Sequence, residues 1–282
     1  MKYDSRTIFI LFCFFMLCAT PVWFTPEVRS ALLEYKEAFI ALTVAIVGAI
    51  SGAFGAQYLN EQNQHRIALT HEMRNTNAAI ITTFSIFNSV LNLRSQHIEK
   101  FRDNFYITKG NLEILFREEG PGQTISLQIP VPSLQPIAFQ TETLRNLIFD
   151  KISPLSRPLA LTNIIGETLD SLNLAIEQRN EMIARLQAAP QQLKVPLYLG
   201  YELPEGGVDN TYADTVDMMH SSTVDVMWFT KRLCLDLIKH AEHLKRELKD
   251  SSIRIARPLF ESIDPVYLPK DERYQDWLKN FV

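Results

Sequence analysis

Six histidines, three cysteines and a spread of carboxylates are the groups in this chain that could hold a metal or move a proton. Their spacing decides whether they do. His71-Glu72 opens the HExxH pattern of zinc proteases, which needs a second histidine one helical turn later. Met73, Arg74 and Asn75 follow instead, so the pattern fails. His240 and His243 stand three apart, a spacing that can put two imidazoles on one side of a metal. No cysteine or second histidine pair supports them, and the surrounding KHAEHLKRELKD reads as a solvated helix end. Asp217 and His220 resemble half of a carboxylate-bridged di-metal motif, which needs the same pair on a second helix. Arg94-Ser95-Gln96-His97 does not supply it.

Nucleophilic and phosphate-binding signatures are missing too. The sequence contains no GxSxG elbow, no Walker A loop and no GxGxxG, and Gly206-Gly207 reads as an isolated turn. Cys13, Cys18 and Cys234 form no CxxC pair and no disulfide framework. We expect no catalytic residue, no metal and no cofactor, and therefore a protein that is not an enzyme. Arg246, Lys249, Arg254 and Arg257 make a modest basic patch. Its ordinary reading is a helix C-terminus favoured by cations, and contact with phosphate or acidic lipid is the alternative. With a net charge of −4 and a pI near 5.9, nothing points to a protein that coats nucleic acid.

The elements are more telling than the side-chain chemistry. Residues 7–24, TIFILFCFFMLCATPVWF, and residues 38–59, AFIALTVAIVGAISGAFGAQYL, are two apolar runs without a charged residue. About 20 helical residues cross a bilayer core, so both runs predict membrane spans. The first could instead be a cleaved signal peptide, but Leu17-Cys18-Ala19-Thr20 is a poor cleavage site, which favours a retained span. Lys2 and Arg6 precede the first run, and Arg66 and Arg74 follow the second. Positive-inside bias then places both termini in the cytoplasm and the short intervening loop outside.

Within the second span Ala38, Ala41, Ala45, Gly48, Gly52 and Gly55 recur at three- and four-residue steps. They form a stripe of small side chains on which helices can pack closely in lipid, within one chain or between copies in a homo-oligomer.

The remainder, residues 60–282, reads as a mainly helical domain. Asn60 to Phe105 lacks Gly and Pro, and Ile80, Phe84, Phe87, Leu91, Ile98 and Phe101 keep helical spacing. Alternation at Leu112, Ile114, Phe116 and again at Ile125, Leu127, Ile129, around Glu119-Gly120-Pro121-Gly122, predicts a β-hairpin near 110–130. Helices are expected over 141–152, 160–188 and 210–250, with an extended connection over 190–208. The aromatic-rich tail, 253–282, is expected to dock on the bundle, with a partner-recognition arm as the alternative. The predicted fold is mainly α: a two-helix transmembrane hairpin over residues 1–59, then a cytoplasmic helical bundle with a small β-hairpin insertion.

The string FGAQYLNEQNQHRIALTHEMRNTNAAIITTFSIFNSVLNLRSQHIEKF passes from the second span into a polar and then an amphipathic helix. That layout resembles the two-span toxic effectors of bacterial retron anti-phage systems, over about the first hundred residues. The resemblance implies a toxic inner-membrane protein, silenced by a reverse transcriptase–DNA complex and released on phage attack to damage the membrane. The other expectation is a passive membrane anchor or receptor whose helical domain binds a protein partner.

Overall fold

The computed structural model describes residues 36–119, 132–153, 156–203, 206–250 and 252–280. The chain divides into two compact units, Met1–Arg66 and Ile67–Val282. The first apolar run, 7–24, lies outside the described residues. Helix α1 runs Lys36–Leu93 and contains the second run; the side chains at 36–40 and 43 also lie outside the description. Among the described residues no helix is long and apolar enough to cross a membrane.

In the unit from Ile67 onward, α1 buries Met73, Ile80, Phe87 and Val90. A π-helical turn, Arg94–Ile98, then leads into α2, Glu99–Glu119. Ile98, Phe105 and Leu112 are buried, seven residues apart, so one apolar seam continues through the turn. This corrects the expected hairpin. Leu112, Ile114 and Phe116 are helical, and the alternation is broken by burial, since Leu112 is buried and Ile114 is exposed. The turn and second strand of that hairpin, within 120–131, lie outside the described residues.

Helix α3, Thr141–Asp150, packs on α4, Ser156–Ala188. Helix α4 pairs extensively with α6, Thr211–Leu248. The seam between them is apolar: Ile165, Leu169, Leu172 and Ile176 of α4 face the core with Val216, Met219, Val226, Leu233 and Leu237 of α6. Buried threonines on these helices satisfy their hydroxyls locally. Thr162 and Thr230 donate to the carbonyls of Pro158 and Val226, four residues earlier.

The connection expected to be extended instead holds helix α5, Gln191–Leu199. Pro190 sits just before its first turn, where a proline ring fits a helix start, and Pro196 is tolerated inside. Val195, Leu197, Tyr198 and Leu199 are buried by it, which a free extended strand would not achieve. Gly200 ends it in the left-handed conformation at φ 71°, and a Cβ there would overlap the Asn210 side chain. The turn expected at Gly206-Gly207 is present: Leu203 N–H donates to Gly207 O at 2.9 Å. An isolated antiparallel bridge joins Glu202 and Val208.

The segment after α6 forms three short 3-10 turns, Phe260–Ser262, Pro265–Tyr267 and Asp271–Tyr274, and helix α7, Gln275–Lys279. Phe260 sets its ring edge-on to Phe84 and Phe87, with centroids 5.4 and 5.2 Å away. Tyr274 stacks on Trp228 at 4.1 Å. Trp228 Nε1–H donates to Asp271 at 2.8 Å, and the Tyr274 hydroxyl donates to Asp225 at 2.5 Å. The tail is therefore held by both apolar and polar contacts.

Candidate functional site

The small residues of the second apolar run lie on the helical backbone of α1. At about 100° per residue, Ala41, Ala45, Gly48, Gly52 and Gly55 share one face. The Ala38 side chain belongs to the same register but lies outside the description. An added Cβ at Gly48, Gly52 or Gly55 would meet nothing within 4 Å. Ile46, Ile50 and Phe54 fall on the opposite face and are 45%, 45% and 44% exposed. Leu42, Val44, Tyr58 and Leu59 are exposed as well. Two chemically distinct apolar faces, one flat and one bulky, thus run along the same helical segment. Exposed apolar patches of this extent are rare on soluble monomers and make this segment a candidate interaction surface.

The candidate metal ligands do not converge. His240 Nε2 lies 2.9 Å from Glu72 Oε1, which also accepts Ser153 N–H at 2.8 Å. His243 reaches Glu247 one turn along α6 at 3.2 Å, on the exposed face. The two imidazoles are committed to different carboxylates, and among the described residues no group of three potential ligands forms. Asp217 accepts from Arg102 at 3.2 Å and from the Tyr106 hydroxyl at 2.5 Å. Burial holds the His220 pKa below its usual range, and Arg102 and Arg94 push the same way. A polar strut between α2 and α6 stands in place of a metal half-site. Of the basic patch, Arg246, Lys249 and Arg257 line one cleft at the end of α6.

Other polar residues were not singled out by spacing. Arg179 is fully buried on α4, its guanidinium 4.0 Å from the Phe101 ring centroid and 5.9 Å from that of Tyr212. Its Nη1 donates to Pro132 O at 3.2 Å, while Nε and Nη2 have no hydrogen-bond partner among the described residues. Burial lowers its pKa from the usual range. The sequence signal was available: 179 continues the Leu172, Ile176, Ile183 stripe, so an arginine there faces the core.

Arg157 holds Asp236 through two bonds, at 2.7 and 2.6 Å, a bidentate pair joining α4 to α6. Three asparagines act as peptide mimics. Asn173 and Asn180 each donate to and accept from one backbone residue, Ile137 and Leu134, at distances of 2.5–3.1 Å. Asn77 accepts from Ala256 N–H at 2.9 Å and donates to Arg254 O at 3.0 Å. Each amide replaces the neighbour that an extended segment would find in a sheet.

No protein-family model, no curated protein and no solved structure matches this chain.

Proposed function

We propose that this protein is a non-enzymatic, membrane-perturbing effector. In this reading the runs at 7–24 and 38–59 insert in a bacterial inner membrane with both termini cytoplasmic, and the helical domain receives the restraining or releasing signal. The observation that carries the reading is the segment from Ala41 to Leu59, which presents a small-residue face and a bulky apolar face and buries neither. Without charged side chains in either run, an ion-selective path is not written into the spans. Damage would come from assembly of several copies through the Ala38–Gly55 stripe and the bilayer distortion that follows. The resemblance of its layout to retron effectors supports an anti-phage role, with a reverse transcriptase–DNA complex as the restraining partner.

The test is membrane potential in bacteria expressing the protein alone. Depolarisation by the wild type, lost in a membrane-inserted Gly48→Leu/Gly52→Leu variant, is the expected result. Depolarisation retained by that variant would rule out assembly through the stripe.

A second reading is a membrane-anchored receptor or scaffold without pore activity. It is favoured by the helical unit having a continuous core of its own. Exchange of residues 1–59 for an unrelated two-span hairpin separates the two: the receptor keeps its activity and the effector loses it.

A further inference from the structure

At the C-terminal end of α6 lies an open cleft of about 740 Å³, within the usual size range of small-ligand sites. Lys245, Arg246, Lys249 and Arg257 line it, against the carboxylates of Glu242 and Asp250. Both carboxylates are already engaged. Glu242 accepts from Arg257 at 2.7 Å, and Asp250 accepts from the Ser252 N–H and hydroxyl at 2.9 and 2.6 Å. Lys245 is spent on the Ile253 carbonyl at 2.6 Å. The Arg246 and Lys249 side chains are exposed and make no ion pair or hydrogen bond among the described residues. In a chain of net charge −4, this cleft is a local concentration of uncompensated positive charge.

The backbone adds an independent observation. Lys249 has φ 52°, and it is the one non-glycine residue with a positive φ among those described. The position is the left-handed end of α6, where glycine is the usual occupant because any Cβ is strained. A lysine there carries a conformational cost that its helix does not require. Strain retained in this way points from the outlier to a use for the side chain. Attraction between cations and the helix end explains positive charge in the last turn, but not a lysine in place of glycine at a concave surface.

We infer that this cleft binds a multiply charged phosphate group, with Arg246 and Lys249 as its direct contacts and Arg257 held beside them by Glu242. Arg246 supplies a planar fork suited to two phosphate oxygens, and Lys249 a compact point charge. The same chemistry is offered by a soluble polyphosphate and by a phosphomonoester lipid headgroup. The site belongs to the unit from Ile67 onward and does not depend on the membrane-effector reading.

The experiment is titration of the full-length protein in neutral detergent with inorganic tripolyphosphate and, separately, with a short-chain, water-soluble phosphatidic acid. Binding of at least one probe is expected, weakened by added salt. Tighter binding of tripolyphosphate identifies a free polyphosphate, and tighter binding of phosphatidic acid identifies a headgroup. Arg246→Gln and Lys249→Gly should each weaken binding about tenfold, the loss of one charge-assisted contact. Arg273→Gln, removing an exposed cation paired to Asp225, should leave it unchanged. Lys249→Gly carries a second readout: it relieves the left-handed strain, so its melting temperature should rise while its affinity falls. Binding of neither probe, or equal binding by wild type and both cleft variants, overturns the proposal.

Discussion

Arg94 and Glu99 form an ion pair at 2.9 Å across the π-helical turn, five residues apart on one continuous helical path. The Glu99 N–H donates to the Arg94 carbonyl, so backbone and side chains close the same wide turn. Arg94 also donates to the Tyr267 carbonyl at 3.4 Å and lies 5.8 Å from that ring's centroid. The turn that joins α1 to α2 is thereby tied to the tail.

Arg94→Ala should lower the unfolding free energy by about 2 kcal/mol, because it strips a mostly buried carboxylate contact and a carbonyl bond together. Glu99→Gln should cost less, since it keeps the shape and one acceptor. Chemical denaturation of both variants provides the comparison, and equal losses would show that the tail contact of Arg94 contributes nothing.

The Arg157–Asp236 pair is expected to behave as a buried clamp. Asp236→Ala leaves Arg157 facing α6 without its carboxylate and should cost about 3 kcal/mol. Arg157→Met/Asp236→Leu should recover part of that loss, because the apolar pair needs no compensation while Arg232, 3.9 Å from Asp236, still loses its carboxylate. A double variant as unstable as Asp236→Ala would mean that the pair fixes the α4–α6 register.

Arg179 predicts the opposite sign. Its charge meets aromatic faces and one carbonyl, with two nitrogens left without hydrogen-bond partners among the described residues. Arg179→Met should therefore be neutral or stabilising by about 1–2 kcal/mol, whereas Phe101→Ala should destabilise by about 3 kcal/mol. A thermal melt of Arg179→Met well below wild type would contradict this.

Cys234 sets an alkaline limit. Burial pushes its thiol up from its ordinary value of 9.0. Below that pH both folded and unfolded chains keep the proton. Above it the unfolded chain releases the proton first, the folded state binds more protons, and stability falls as pH rises. Tyr198, Tyr212 and Tyr274, all raised by burial from 10.0, extend the decline at higher pH. Cys234→Ala should flatten the stability profile between 9.0 and 10.0 and leave the tyrosine-dependent decline in place. A slope unchanged by the substitution would assign the loss elsewhere.

The asparagine clamps give a fifth expectation. Asn173→Ala/Asn180→Ala removes the hydrogen-bond partners of the Leu134 and Ile137 backbone groups, four bonds in all, and should cost about 4 kcal/mol, at roughly 1 kcal/mol per bond. Hydrogen exchange at the Leu134 and Ile137 amides should accelerate specifically. Protection retained at both amides would show that packing alone holds the segment.

Long apolar periodicity made α4 and α6 legible from sequence, because burial on one face writes itself into every third or fourth residue. Ile165, Leu169, Leu172 and Ile176 are an example. Leu112, Ile114 and Phe116 misled because three alternating residues are too short a run to establish a strand, and the longer Ile98–Phe105–Leu112 spacing outweighs them. The stretch 190–208 reads as an extended connection after Pro190, while the tertiary burial of Leu197 and Tyr198 holds a short helix within it. For the site, the small-residue stripe was readable as periodicity. The clamps by Asn77, Asn173 and Asn180 were not, since an asparagine on a helix has no pattern that names a distant backbone partner.

Asn77 grips the backbone at Arg254 and Ala256, 177 and 179 residues further along the chain. During synthesis at roughly 5–20 residues per second, about 9–36 seconds separate the two ends of that contact. For all of that interval the apolar segment of α1 has left the ribosome while the lock on the helical unit does not yet exist. The order of emergence lets the N-terminal part choose its surroundings first and leaves the tail to complete the core last. A nascent chain stalled before Arg254 is thus a species with its apolar helix already made and Asn77 still without its backbone partners in the tail.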